Sequence, residues 1–284
     1  MLVPTTMPGV TDPQAAALLQ PRWARARGSL LTALAGCPWT IVALCVLALV
    51  VTVAVDGFAV WPVLPVVGAV VPAVLALASV RGLVSEPPRW VRAAFLTGGV
   101  QLLLGVFPAV GFATNAGGAG AVTATVVLVL ALAAVALGVF FARRAMQALL
   151  TPVSRELGAT PFTVAVRARL HDTGLVSGSV SIGRAGLEWA ARRHRATGHG
   201  HLSFSELRDV VPTMLPGTSG PVPWLALSDG SVAQAVPGPA VLLRTSSQDV
   251  LLPVDEPHVF VELLSVRVAA WRATQFRCTA EARR

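Results

Sequence analysis

The chain lacks lysine and tyrosine altogether, and charged residues fill only 13% of its 284 positions against 54% for hydrophobic ones. Soluble domains carry about a quarter charged residues. The composition, with a mean hydropathy of +0.69, therefore excludes an ordinary soluble protein and implies a membrane protein. Cysteine is also scarce: Cys37 and Cys45 share one apolar run and Cys278 lies near the C-terminus. That distribution excludes a disulfide framework and a Cys-x-x-Cys metal pattern, leaving apolar, inert thiols. Acids are nearly missing from the first half. Residues 1–149 hold 8 arginines against Asp12, Asp56 and Glu86 (+5), and 150–284 hold 14 against 11 acids (+3). Neither half is basic enough to imply a nucleic-acid partner.

What is present is apolar sequence in long runs. Crossing the hydrocarbon takes about 20 residues, because a helix rises about 1.5 Å per residue through a layer about 30 Å thick. Four runs qualify, 37–55, 58–80, 93–112 and 121–141, and none contains Asp, Glu, His or Arg. Pro62, Pro65 and Pro72 interrupt the second and predict a kink there. Arginines sit at alternate ends of the runs: Arg22, Arg25 and Arg27 before the first, Arg81, Arg89 and Arg92 between the second and third, Arg143 and Arg144 after the fourth. The other two loops have none. This asymmetry predicts a multi-pass protein of the plasma membrane with both termini cytoplasmic. Residues 1–29 read as a disordered cytoplasmic tail, 30–145 as a four-helix transmembrane domain and 146–161 as a juxtamembrane linker. Leu34-Ala35-Gly36-Cys37 matches a lipoprotein cleavage signal, but the apolar run continues past the cysteine to Val55, which favours a span.

The most polar candidate inside the spans is Gln101, near the centre of the third. It reads either as an interhelical hydrogen bond between glycine-rich, closely packed helices or as a ligand for a solute. Ala134-x-x-x-Gly138 in the fourth span has the small-residue spacing that lets backbones approach, within a bundle or in a homo-oligomer.

From Phe162 the period changes from helical to alternating. "FTVAVRARL", "SGSVSIG", "GLEWAA" and "HLSFSELRDV" read as short strands, Asp229-Gly230 and Ser246 to Asp249 as hairpin turns, and Val259, Phe260, Leu263, Leu264, Val268 and Trp271 as the apolar stripe of a final helix. About seven strands and one helix result, over 162–272, with 273–284 as a tail.

These stretches, "GSVSIGRAGLEW", "LSFSELRDVV", "LSDGSVAQAV" and "PGPAVLLRTSSQDVLLPVDEPHVFVELLSVRV", resemble the bacterial pleckstrin-homology-like (PH-like, GRAM-like) superfold as it occurs in multi-pass membrane proteins of high-GC, actinobacterial type. The resemblance implies a partly open β-barrel plugged by the C-terminal helix through Val259 and Leu263. It also implies a binding module for lipid or protein, without cofactor and without catalysis.

One stretch concentrates charge: "WAARRHRATGHGHLSF", Trp189 to Phe204, holds three arginines and three of the five histidines. It reads as a loop between two strands. His194, His199 and His201 match no standard metal spacing, so no metal site is expected. Arg192, Arg193 and Arg195 suit anionic lipid headgroups, at about 1 kcal/mol each when close to the surface, and a plain solvated loop is the alternative. Protonated histidines would strengthen a lipid contact in acid. Ser205, Glu206 and His171-Asp172 lie in no nucleophile or phosphate motif and read as strand ends and turns. The expected function is that of a membrane scaffold or regulatory module, bound to the bilayer and to anionic headgroups or a membrane protein partner. The alternative is a small-solute transport component using the second and third spans, with the cytoplasmic domain as gate.

Overall fold

The computed structural model describes residues 3–10, 12–115, 117–171, 175–215 and 220–281, the last six by backbone alone. The chain divides into two compact units, one of residues 1–7 and 20–149, the other of 8–19 and 150–284.

The first unit is helical. α1 (Pro13–Leu31) runs through a widened turn (Thr32–Gly36) into α2 (Cys37–Asp56), followed by α3 (Leu64–Leu83), then α4 (Pro87–Gln101), a second widened turn (Leu102–Val106), α5 (Phe107–Asn115) and α6 (Gly117–Leu150). Among the described residues four continuous helices are long and apolar enough to cross a membrane: Pro13–Asp56, Trp61–Leu83, Pro87–Asn115 and Gly117–Leu150. Each contains one of the four apolar runs, the second run lacking only its first three residues. Leu47, Val50, Leu75, Leu103, Val129 and Phe140 are exposed, a surface that water does not tolerate and lipid does. The architecture is that of a multi-pass membrane protein.

Both widened turns have the same cause. Each ends two residues before a proline, Pro38 or Pro108, whose ring lacks an N–H and collides with the carbonyl four residues back. The helix responds with a bond spanning five residues, from Cys37 N–H to the Thr32 carbonyl and from Phe107 N–H to the Leu102 carbonyl. By contrast Pro62 and Pro65 fall in the first turns of their helix, where no N–H is needed, and only Pro72 is internal. The expected disordered tail is corrected as well: residues 13–31 are helical. Trp23 is fully buried in this unit, with its indole N–H on the Pro4 carbonyl at 3.1 Å.

The second unit is built on nine strands among the described residues, two more than expected. β1 (Val164–Arg167), β2 (Val176–Ile182), β3 (Gly186–Arg193) and β4 (Ala196–Ser203) form an antiparallel meander; β5 (Leu207–Leu215), β8 (Gly238–Thr245) and β9 (Asp249–Leu252) a second sheet in the order β5-β8-β9; β6 (Val222–Ala226) and β7 (Val232–Ala235) a third. Single bridges, Ala168 with Val254 and Leu170 with Ala235, link the ladders without closing them. Val164, Val180, Ile182 and Leu187 are fully buried, and α7 (Pro257–Glu281) buries Phe260, Leu263 and Leu264. Val259, expected among the buried residues of this helix, is only half-buried, and Phe260, Leu263 and Leu264 are its fully buried members. α7 also continues to Glu281, into the segment expected to be a tail.

Candidate functional site

The charged stretch is not a loop. Its residues belong to β3 and β4, paired without interruption from Gly186–Ser203 to Arg193–Ala196. Only His194 and Arg195 remain for the turn. A two-residue hairpin turn that matches the strand twist needs a positive φ, and His194 supplies it at 52°. The Arg192 Nε–H donates to the His194 carbonyl at 3.2 Å across this turn.

A second hairpin braces the first. Between β6 and β7 the chain turns through Leu227–Ser231, a five-residue loop with Gly230 at φ +81° rather than the expected two-residue turn. Ser228 N–H donates to the Thr197 carbonyl at 3.0 Å, and Thr197 N–H to Ser228 Oγ at 3.2 Å. The backbones approach so closely that a Cβ on Gly198 would strike the Ala226 carbonyl oxygen. Asp229 accepts from the Ser231 hydroxyl at 2.6 Å and from its N–H at 3.0 Å. These bonds, with the charge of Arg193 behind them, hold the Asp229 carboxyl below its ordinary value.

Arg192, Arg193, His194 and Arg195 are all exposed. The tip is therefore a convex cationic point on a braced hairpin, with the Asp229 carboxylate within reach of the charge of Arg193. His199 and His201 instead lie along β4, opposite Ala190 and Glu188. They line a shallow depression of about 480 Å³ with Ser179, Ser181 and Glu188. The three histidines are thus not brought together, and no group of three metal-ligating side chains occurs among the described residues. Ser205 and Glu206 sit in the exposed β4–β5 turn, where Glu206 N–H bonds to the Ser203 carbonyl. Asp172 lies outside the described residues, as does the side chain of Cys278.

Gln101, in the first unit, is fully buried. Its amide donates to the Ala69 carbonyl at 2.8 Å and to the Pro38 carbonyl at 3.1 Å, cross-linking α4 to α3 and α2. Its Oε1 is buried without a hydrogen-bond partner.

Sequence reasoning passes over Arg267. Only 3% exposed, its guanidinium donates to four carbonyls: Gly158 (2.7 Å) from Nε, Gly183 (2.9 Å) from Nη1, and Leu157 (2.8 Å) and Phe162 (2.9 Å) from Nη2. It ties α7 to the 3₁₀ turn Arg155–Ala159, to the entry of β1 and to the β2–β3 turn. Burial, with Arg184 nearby, lowers its pKa to about 10, which leaves it charged at neutral pH. The signal was present: 267 is seven residues past Phe260 and four past Leu263, inside the apolar stripe.

Compared with family models, with curated proteins and with solved structures, the chain matches none. The class that fold and site define is therefore a multi-pass membrane protein carrying a C-terminal, mostly antiparallel sheet domain with a final helix.

Proposed function

We propose that the protein is a non-enzymatic scaffold or regulatory protein of the plasma membrane, with both termini cytoplasmic. Its C-terminal PH-like domain acts as an interaction and assembly module, and Arg192, Arg193 and Arg195 meet anionic headgroups. The observation that carries this reading is the braced hairpin: three exposed arginines at the end of β3 and in a two-residue turn, with no longer loop to disorder them. A pre-formed basic point loses little conformational freedom on meeting a charged surface. At about 1 kcal/mol per arginine, replacing all three by alanine should weaken binding to anionic vesicles about 100-fold at low salt. Flotation of the 150–284 segment with phosphatidylglycerol vesicles measures this. The segment has to begin before Leu157, because Arg267 binds the 157 and 158 carbonyls. Binding that is insensitive to salt and to the triple substitution returns the hairpin to a solvated role.

A second reading, a small-solute path along the second and third spans, is favoured by one atom, the buried Gln101 Oε1 without a partner. Gln101→Leu separates the two. A scaffold keeps membrane insertion and loses about 1 kcal/mol of bundle stability, whereas a transport component loses uptake.

A further inference from the structure

We propose that the open edge of β1 is a docking site for an extended segment of a partner protein, one that presents an apolar side chain next to a carboxylate. Alternation along β1 determines which backbone groups are available. Ala168 N–H bonds to the Gly178 carbonyl, and two and four residues earlier Val166 pairs with Val180 and Val164 with Ile182. In an antiparallel ladder the residues between such pairs turn their N–H and C=O to the opposite edge. Those residues are Ala165 and Arg167. Farther along that edge Arg169 N–H donates to the Pro253 carbonyl at 2.9 Å and Ala168 bridges to Val254, so 253–254 covers the strand there. The chain then diverges to enter α7 at Pro257. Among the described residues no backbone group pairs with Ala165 or with the Arg167 N–H on this edge, while the bridge of Ala168 with Val254 sets the Arg167 carbonyl against Asp255 N–H.

The divergence opens a cavity of about 360 Å³, within the size range of ligand sites. Val153, Val166, Val254, Val259 and Phe260 give it an apolar floor, and Arg167 and Glu256 stand at its rim. Asp255 is held by Arg169 at 3.1 Å, while Arg167 and Glu256 have no ion pair among the described residues. An unpaired strand edge beside an apolar pocket is the geometry of strand addition, in which main-chain bonds bind and alternate side chains select. Here every second side chain of the added strand enters the floor, and its neighbours lie beside Ala165 and Arg167. That pattern calls for an apolar residue, an adjacent carboxylate for Arg167 and a base toward Glu256. A second copy of β1 does not fit. Two-fold pairing about Val166 sets residue 168 opposite residue 164, and the 253–254 segment on the other copy's edge would overlap β1.

The proposal rests on the interaction-module reading but not on the basic hairpin. Its test uses the full chain in lipid nanodiscs and three fluorescein-labelled peptides, Thr-Glu-Leu-Arg-Thr and the versions with Val or Phe in the centre, followed by fluorescence anisotropy. Saturable binding is expected, and a central Gly should weaken it about tenfold or more. Two variants should do the same: Val259→Trp, which fills the floor, and Ala165→Pro, which removes only the outward N–H, a change that edge strands accept. Circular dichroism identifies any variant that fails to fold, and the remaining one decides. The triple alanine variant of the hairpin should bind peptide as the wild type does, whatever happens to its lipid binding, so the two ideas fail separately. No saturable binding of any of the three peptides up to about 1 mM, or binding indifferent to the folded variants, overturns the proposal.

Discussion

Replacing Arg267 by methionine is expected to unfold the C-terminal domain or lower its thermal transition by about 10 °C or more. The substitution keeps most of the side-chain volume but strips four donors from the Leu157, Gly158, Phe162 and Gly183 carbonyls. Removing one partner from a buried charged network costs about 3–5 kcal/mol, a large part of the 5–15 kcal/mol that stabilises a typical domain. The bonds to Leu157, Gly158 and Phe162 are buried, and around Gly158 the packing leaves little room for water to replace them. A Cβ on Gly158 would already collide with the Leu263 carbonyl and stand 2.9 Å from Val266 Cβ. Arg267→Lys should recover only part of the loss, since one ammonium cannot reach three separate chain segments as the planar fork does. Melts of the detergent-solubilised chain followed by near-ultraviolet circular dichroism give the answer. A methionine variant melting with the wild type would show that the four bonds contribute no net stability.

The second large effect is expected in the membrane unit. Gly68 packs against the widened turn at Leu102–Val106, where a Cβ would strike the Leu104 carbonyl oxygen and lie 3.1 Å from Leu104 Cβ. Pro108 is the reason that carbonyl cannot be tied into the ordinary helical ladder, and Pro72 likewise leaves the Gly68 carbonyl without its helical donor. Two proline-disturbed backbones meet at this point. Gly68→Val should therefore cost about 3 kcal/mol, the upper part of the range for overpacking, because the opposing atom is backbone. Gly99→Ala is the control. Nothing lies within 4 Å of a Cβ there, and alanine in a helix interior gains about 0.5–1 kcal/mol over glycine. Size-exclusion profiles after heating in detergent should show early aggregation for the first variant and none for the second.

These two positions also show how far the sequence is legible. The four spans are readable because an apolar run of that length has few other stable solutions. The β8–β9 turn is readable too: Thr245 Oγ1 accepts from Ser247 and Gln248 N–H where a turn is expected. The widened turns escape a reading that counts hydrophobicity alone, since Pro38 and Pro108 look like ordinary members of apolar runs. Arg267 escapes because charge is assumed to face water, and only its place in the apolar stripe reveals otherwise. The hairpin at His194 is missed for a related reason. "RRHRATGHGH" has the polarity of a loop, yet β4 alternates buried Ala196, Gly198 and Leu202 with exposed Thr197, His199 and His201. Its buried members are small, so the alternation is almost invisible to hydropathy. The open edge of β1 depends on where 253–254 leaves the strand, which is a tertiary fact.

The most direct test is whether the Arg192–Arg195 tip meets anionic lipid in the intact protein. Cys37 and Cys45 are buried, so a His194→Cys, Cys278→Ser chain can be labelled at the tip with an environment-sensitive fluorophore and placed in nanodiscs. A blue-shifted emission, shielded from an aqueous quencher in phosphatidylglycerol-containing nanodiscs and lost in high salt, is the predicted result. Identical spectra in neutral and anionic nanodiscs at every salt concentration would contradict it.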